Sequence, residues 1–152
     1  MLGNLFKRKA VNYFSEKEKQ LIVEAIHTAE HRTSGELRIY IESHCKIDPL
    51  LRAQEVFQGL KMYETKARNG VLIYVAMKDR QLAVYGDEAI HTKVGNAFWN
   101  AEVKKMLEHF NKNNYTSGIV EIIHAIGEVL VMHFPYDDTT DNNELPDDIV
   151  FG

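Results

Sequence analysis

Three short segments each set oxygen-bearing side chains beside a glycine: Thr33-Ser34-Gly35-Glu36, Arg68-Asn69-Gly70 and Gly86-Asp87-Glu88. Carboxylate and amide oxygens on turns are the ligands a hard cation such as calcium or magnesium prefers, and glycine lets backbone carbonyls turn inward beside them. Glu36, Asn69, Asp87 and Glu88 are therefore the candidate metal ligands. The competing reading is that each glycine only ends an element and each acid only caps one. A metal held there would supply Lewis acidity for phosphate-ester chemistry, but the segments add only Arg68 as a cation and define no nucleophile.

Other spacings suggest chemistry and are outweighed. His27-Thr28-Ala29-Glu30-His31 matches the H-x-x-E-H pattern that places two histidines one helical turn apart for zinc. At about 100° per residue the apolar stripe through Ala25 and Ala29 points away from both histidines, so a polar, solvent-facing helix side is expected. Glu42-Ser43-His44-Cys45 suggests a thiol activated by histidine, yet neighbours in an extended segment point to opposite sides. A loop with a partly buried thiol is the expected reading. His124 reads as a hydrogen-bonded core residue, Phe98 and Trp99 read as helix-packing residues, and no Walker-type loop occurs.

The elements that must position the acidic segments follow from periodicity. Ser15 and Glu18 have capping-box spacing before an apolar helical stripe through Leu21, Ile22, Ala25, Ile26 and Ala29. Leu37, Ile39 and Ile41 alternate with polar residues as a half-covered strand does. Asp48-Pro49 opens a second helix, and the unbroken apolar run 71–77 suits a central strand covered on both faces. Lys78-Asp79-Arg80 turns the chain back into a third strand. Strands are expected near 36–43, 70–77 and 81–86, followed by a helix with Phe98, Trp99, Val103, Met106, Leu107 and Phe110 on one face. The segment 118–133 is expected to be the most buried helix, stopped by Pro135.

A helix between the first two strands makes them parallel with a right-handed connection, and the hairpin brings the third back. The start of strand one, the start of strand two and the end of strand three then share one edge of the sheet. That topology gathers Glu36, Asn69, Asp87 and Glu88.

Composition narrows the partners. With 152 residues and 45% apolar content the chain suits one core, and a formal charge of −4 removes the usual electrostatic basis for nucleic-acid binding. Lys7-Arg8-Lys9 reads as a solvated basic tail. Cys45 is the only cysteine, which excludes an internal disulfide and fits a reducing, cytoplasmic setting. No secretory-type apolar stretch of roughly 7–15 residues opens the chain, and no run of about 18 apolar residues occurs, so neither export nor membrane anchoring is expected.

Ser34-Gly35-Glu36 before a strand, Arg68-Asn69-Gly70-Val71-Leu72-Ile73 opening another, and Tyr85-Gly86-Asp87-Glu88 closing a hairpin resemble the successive signatures of the TPM domain family. Asn114-Tyr115-Thr116-Ser117-Gly118 is similar to the family's run before its last helix, and the resemblance covers about 14–134. That family takes its name from a thylakoid lumen protein, a photosystem II repair protein and a levamisole-receptor modulator. The resemblance implies a sheet sandwiched by helices, divalent-cation binding in some members, and the acid phosphatase activity proposed for the thylakoid branch. Glu88 matches the family's acid most directly, with Asn69 and Glu36 next. Asp87 departs from the pattern, standing where an apolar residue is usual, and so adds an oxygen. Many relatives carry an export signal and a membrane anchor, which this sequence is expected to lack.

The expected fold class is α/β, a three-layer sandwich whose mixed central β-sheet combines a βαβ unit with an antiparallel hairpin and carries helices on both faces. An N-terminal tail (1–13) precedes the domain (14–134), and an acidic C-terminal tail (135–152) ends in apolar residues that either dock or stay free. The expected function is a non-catalytic binding module holding calcium or magnesium at the acidic edge. A metal-assisted acid phosphatase and a metal-free protein-interaction domain are the alternatives. Expected partners are the cation and a protein, with neither nucleic acid nor membrane. Neutralising Asp87 or Glu88 is expected to relieve repulsion and leave the metal-free fold intact.

Overall fold

The computed structural model describes residues 13–136 and 149–152. The basic run Lys7-Arg8-Lys9 and the acidic stretch 137–148 lie outside the described residues. Helix α1 (Glu16–Glu30) starts on a full capping box, with the Glu18 N–H donating to Ser15 Oγ at 3.1 Å and the Ser15 N–H to Glu18 Oε1 at 2.9 Å. Ile22, Ala25, Ile26 and Ala29 recur at helical spacing and are buried. Strand β1 (Glu36–Glu42) follows, then α2 (Pro49–Gly59), whose N-cap Asp48 accepts from the Leu50 N–H at 2.9 Å. Strand β2 (Gly70–Ala76) is buried along its whole length, and a turn through Arg80 leads into β3 (Gln81–Gly86).

Three helices come next: α3 (Glu88–Val94), α4 (Asn96–Asn111) and α5 (Tyr115–His133). Strand β4 (Val150–Phe151) closes the described chain. The sheet order is β3-β2-β1-β4, with β2 antiparallel to β3 and both other pairings parallel. Register follows the expected topology, Glu36 opposite Gly70 and Val71 opposite Gly86.

Side chains alternate across this sheet and build two cores. Leu37, Ile39, Ile41, Val71, Ile73, Val75, Leu82 and Val84 face α1, α4 and α5. Leu72, Tyr74, Ala76 and Ala83 face Ala53, Val56 and Phe57 of α2. The α/β sandwich with helices on both faces is thus observed. By length and apolar content α5 matches a membrane span, but its Ile119, Ile122, Ile123, Ile126 and Leu130 are buried in the core.

Three features differ from or extend the sequence expectation. The segment after Gly86 is not a bare turn: Asp87 starts α3, which Gly95 separates from α4 by a left-handed residue (φ 81°). The C-terminal residues dock, with Val150 and Phe151 opposite Tyr40 and Ile41, while Ile149 and Phe151 pack on the core. His124 is exposed rather than in the core, because the buried stripe of α5 runs through Ile119, Ile122, Ile123 and Ile126 and leaves position 124 outside it.

Candidate functional site

Backbone hydrogen bonds tie the three acidic segments together. The Glu36 N–H donates to the Asn69 carbonyl at 3.4 Å, the Asp87 N–H to the Gly70 carbonyl at 2.8 Å, and the Ala89 N–H to the Arg68 carbonyl at 3.1 Å. Residues distant in sequence therefore meet at the amino end of the parallel strands. Arg68 reaches its place through a left-handed backbone (φ 51°), uncommon for a residue with a side chain.

The side chains there are not equivalent. Asp87 is 3% exposed and receives Arg68 Nε at 2.7 Å and Nη2 at 2.9 Å on its two oxygens, while Oδ1 also accepts the Glu88 N–H at 2.8 Å as the cap of α3. The bonds to Asp87 raise the Arg68 pKa above its ordinary value. Glu88 is exposed, with Oε1 at 3.4 Å from Arg68 Nη1. Glu36 and Asn69 are buried. Asn69 Nδ2 donates to Ser34 Oγ at 3.3 Å, whereas its Oδ1, like Thr65 Oγ1, has no hydrogen-bond partner among the described residues.

This geometry tests how well the four candidates suit a hard cation. Among the described residues no group of three or more His, Cys, Asp or Glu side chains is gathered as metal ligands would be. Asn69 fits a cation through its orphaned buried oxygen, and Glu36 is joined to it by the backbone bond between the two segments. Asp87 fits less well, because Arg68 already neutralises it. It caps a helix, as the competing sequence reading of the acids holds.

A cleft of about 440 Å³ opens beside Asp87, along the outer side of β3. Leu50, Arg68, Tyr85, Glu88, His91 and Trp99 are among the residues that line it. Trp99 is buried and donates from Nε1 to His91 Nδ1 at 3.2 Å, which leaves the Nε2 side of the ring for other partners. Trp99 is the packing residue the sequence suggested, meeting Phe98 edge-on at 5.3 Å. His91 escaped sequence reasoning because α3 did; once Asp87 is taken as an N-cap, His91 falls one turn beyond Glu88.

The opposite end of the strands carries a second polar cluster. Arg52 donates from Nε and Nη2 to the two oxygens of Glu42 at 2.9 and 3.0 Å, and the Tyr74 hydroxyl donates to the same carboxylate. Burial would raise the Glu42 pKa, but the bonds from Arg52 and Tyr74 outweigh it and hold the group below its ordinary value. Burial, then the bond to Glu42, pushes the Tyr74 phenol well up. His44 Nδ1 lies 2.9 Å from Asp79 Oδ1, and the Cys45 Sγ donates to the Ile47 carbonyl at 3.0 Å, so the thiol and imidazole do not face each other. The hydrogen bond from His44 lowers the Asp79 pKa. His27 and His31 are exposed on α1.

The arrangement has counterparts of known structure. The chain is 39% identical to the BA42 protein of the psychrophilic bacterium Bizionia argentinensis, with a TM-score of 0.84 over 92% of this chain and 96% of that one. The N-terminal domain of the cg2496 protein of Corynebacterium glutamicum shares the fold at 15% identity, TM-score 0.62, over 78% of this chain and 75% of its own. An N-terminal domain from P. gingivalis does so at 14% identity, TM-score 0.67, over 82% of each chain. No curated protein matches the chain. The TPM domain model matches residues 8–129, most of the sequence, and the chain belongs to the TPM domain family.

Proposed function

We propose that the chain is a non-catalytic binding module whose ligand is a hard divalent cation, calcium or magnesium, taken at the amino end of the parallel strands. The Asn69 amide carries the reading: its Oδ1 is buried and without a hydrogen-bond partner among the described residues, beside Glu36. Leaving such an oxygen unbonded costs about 1–3 kcal/mol, which a bound cation offsets. Calcium sites combine amide and carboxylate oxygens, so Asn69 and Glu36 would hold the inner side and Glu88 the solvent side. Asp87 joins only if Arg68 lets it go. Arg68 is already paired with Asp87, and among the described residues there no nucleophile is paired with a base, which favours binding over phosphate-ester hydrolysis.

Amide-resolved titration of the whole chain, first with chelator and then with calcium or magnesium, tests this. The expected result is perturbation at Glu36, Asn69 and Gly70 that is lost in Asn69→Ala and weakened in Glu36→Gln. Perturbation confined to 137–148, or none at millimolar cation, overturns it.

A further inference from the structure

Strand β3 stands at the edge of the sheet. Its Asp87 neighbour donates to Gly70, and antiparallel residues alternate between those that bond across the pair and those that do not. Gln81, Ala83 and Tyr85 therefore turn their peptide groups toward β2, in keeping with β2 itself, where Asn69 and Met77 bond to β1. The N–H and C=O groups of Leu82, Val84 and Gly86 point away from β2, on buried residues (Leu82 6% and Val84 4% exposed) at the floor of the cleft that Val84 and Gly86 line, so a strand reaches them only by entering that cleft. No strand takes them up among the described residues. The other outer position differs: β4 covers β1 there, with the Gly152 N–H bonded to the Ile41 carbonyl at 2.8 Å. The sequence of β3, Gln-Leu-Ala-Val-Tyr-Gly, has neither proline nor charge, the usual devices that keep an edge from pairing.

The cleft runs along this edge. Val84, Tyr85 and Gly86 line it together with Leu50 of α2 and Trp99 and Asn100 of α4. Leu50 is 52% exposed, an apolar wall left open to solvent. At the far end Arg68 is neutralised by buried Asp87, and the exposed Glu88 carboxylate is the surplus charge. We propose that this edge docks an extended segment of a partner protein, which adds to the sheet beside β3, sets an apolar side chain against Leu50 and places a basic side chain at Glu88. Backbone pairing supplies affinity, and the alternate side chains supply selectivity. An acidic segment would meet Glu88 as a like charge. The inference stands on β3 geometry and is independent of cation binding.

The test titrates the labelled whole chain, in chelator, with the peptide acetyl-Lys-Val-Thr-Val-Thr-amide. Shifts and slowed hydrogen exchange are expected at the Leu82, Val84 and Gly86 amides. Replacing the peptide's lysine by glutamate should weaken binding about tenfold, and Glu88→Gln should shrink that preference to about twofold. A peptide with both valines changed to proline should not bind. The inference is overturned by no response at Val84 and Gly86 at millimolar peptide, by shifts mapping instead to the groove between α1 and α5 that Leu21 and Val120 line, or by equal binding of the proline peptide. Because chelator is present throughout, failure here leaves the cation reading standing, and failure of the cation titration leaves this one.

Discussion

Arg68 and Asp87 form a two-pronged ion pair that joins the start of β2 to the end of β3, with Nε and Nη2 at 2.7 and 2.9 Å from the two carboxylate oxygens. The same carboxylate caps α3. Removing its charge is therefore not a relief of repulsion, contrary to the sequence expectation for the metal-free fold. Asp87→Asn keeps a capping oxygen but loses the pair and should cost about 1–2 kcal/mol. Arg68→Ala leaves the buried Asp87 charge unpaired and should cost more. Urea unfolding of the metal-free protein measures both, and an Asp87→Asn variant as stable as the parent would show that the pair contributes nothing.

Hydrolysis of generic phosphomonoesters should stay at background, with or without calcium, magnesium or manganese. The acidic end of the strands offers carboxylates and Arg68, already paired with Asp87, and the described residues there set up no activated nucleophile. Turnover that follows the protein through purification and disappears in Glu88→Gln would reverse the ranking of binding over catalysis.

Stability should fall on the acid side partly through Glu42. Its folded pKa is lowered, against burial, by Arg52 and Tyr74, so its contribution is present above the unfolded glutamate pKa and is lost as pH falls through the folded value. Tyr74 has the opposite sign. Its folded pKa is raised, so its contribution holds below the unfolded tyrosine value and is lost as pH rises beyond it. In Glu42→Gln the unfolding free energy from urea melts should be lower at pH 7, by about 1–3 kcal/mol at most, and should decline less between pH 5 and pH 3 than in the parent. Parallel pH curves for the two proteins would assign the acid loss to other groups.

Gly86 is held by space rather than by conformation. A Cβ there would lie 2.8 Å from a ring carbon of Trp99 and 3.2 Å from Ile90, both buried. Gly86→Ala should cost about 1–3 kcal/mol by overpacking. It should also disturb the bond between Trp99 and His91, which indole NMR and fluorescence report. A variant with unchanged stability and an unshifted indole signal would mean that α4 moves aside freely.

The sequence by itself determined the elements whose signals are local. The capping box at Ser15 and Glu18, the alternation through Leu37, Ile39 and Ile41, and the turn before Gln81 each follow from spacing that no distant residue can change. Chain connectivity then settled that Glu36, Asn69, Asp87 and Glu88 meet at one end of the sheet, since a helical crossover and a hairpin leave little choice. Tertiary structure alone decided what those side chains do there. Asp87 faces Arg68 because a left-handed turn and the start of α3 aim the two groups at each other, and Asn69 is buried where its amide meets Ser34. The docking of Val150 and Phe151 is of the same kind: two residues carry too little periodicity to announce a strand, and only the open edge of β1 makes them one.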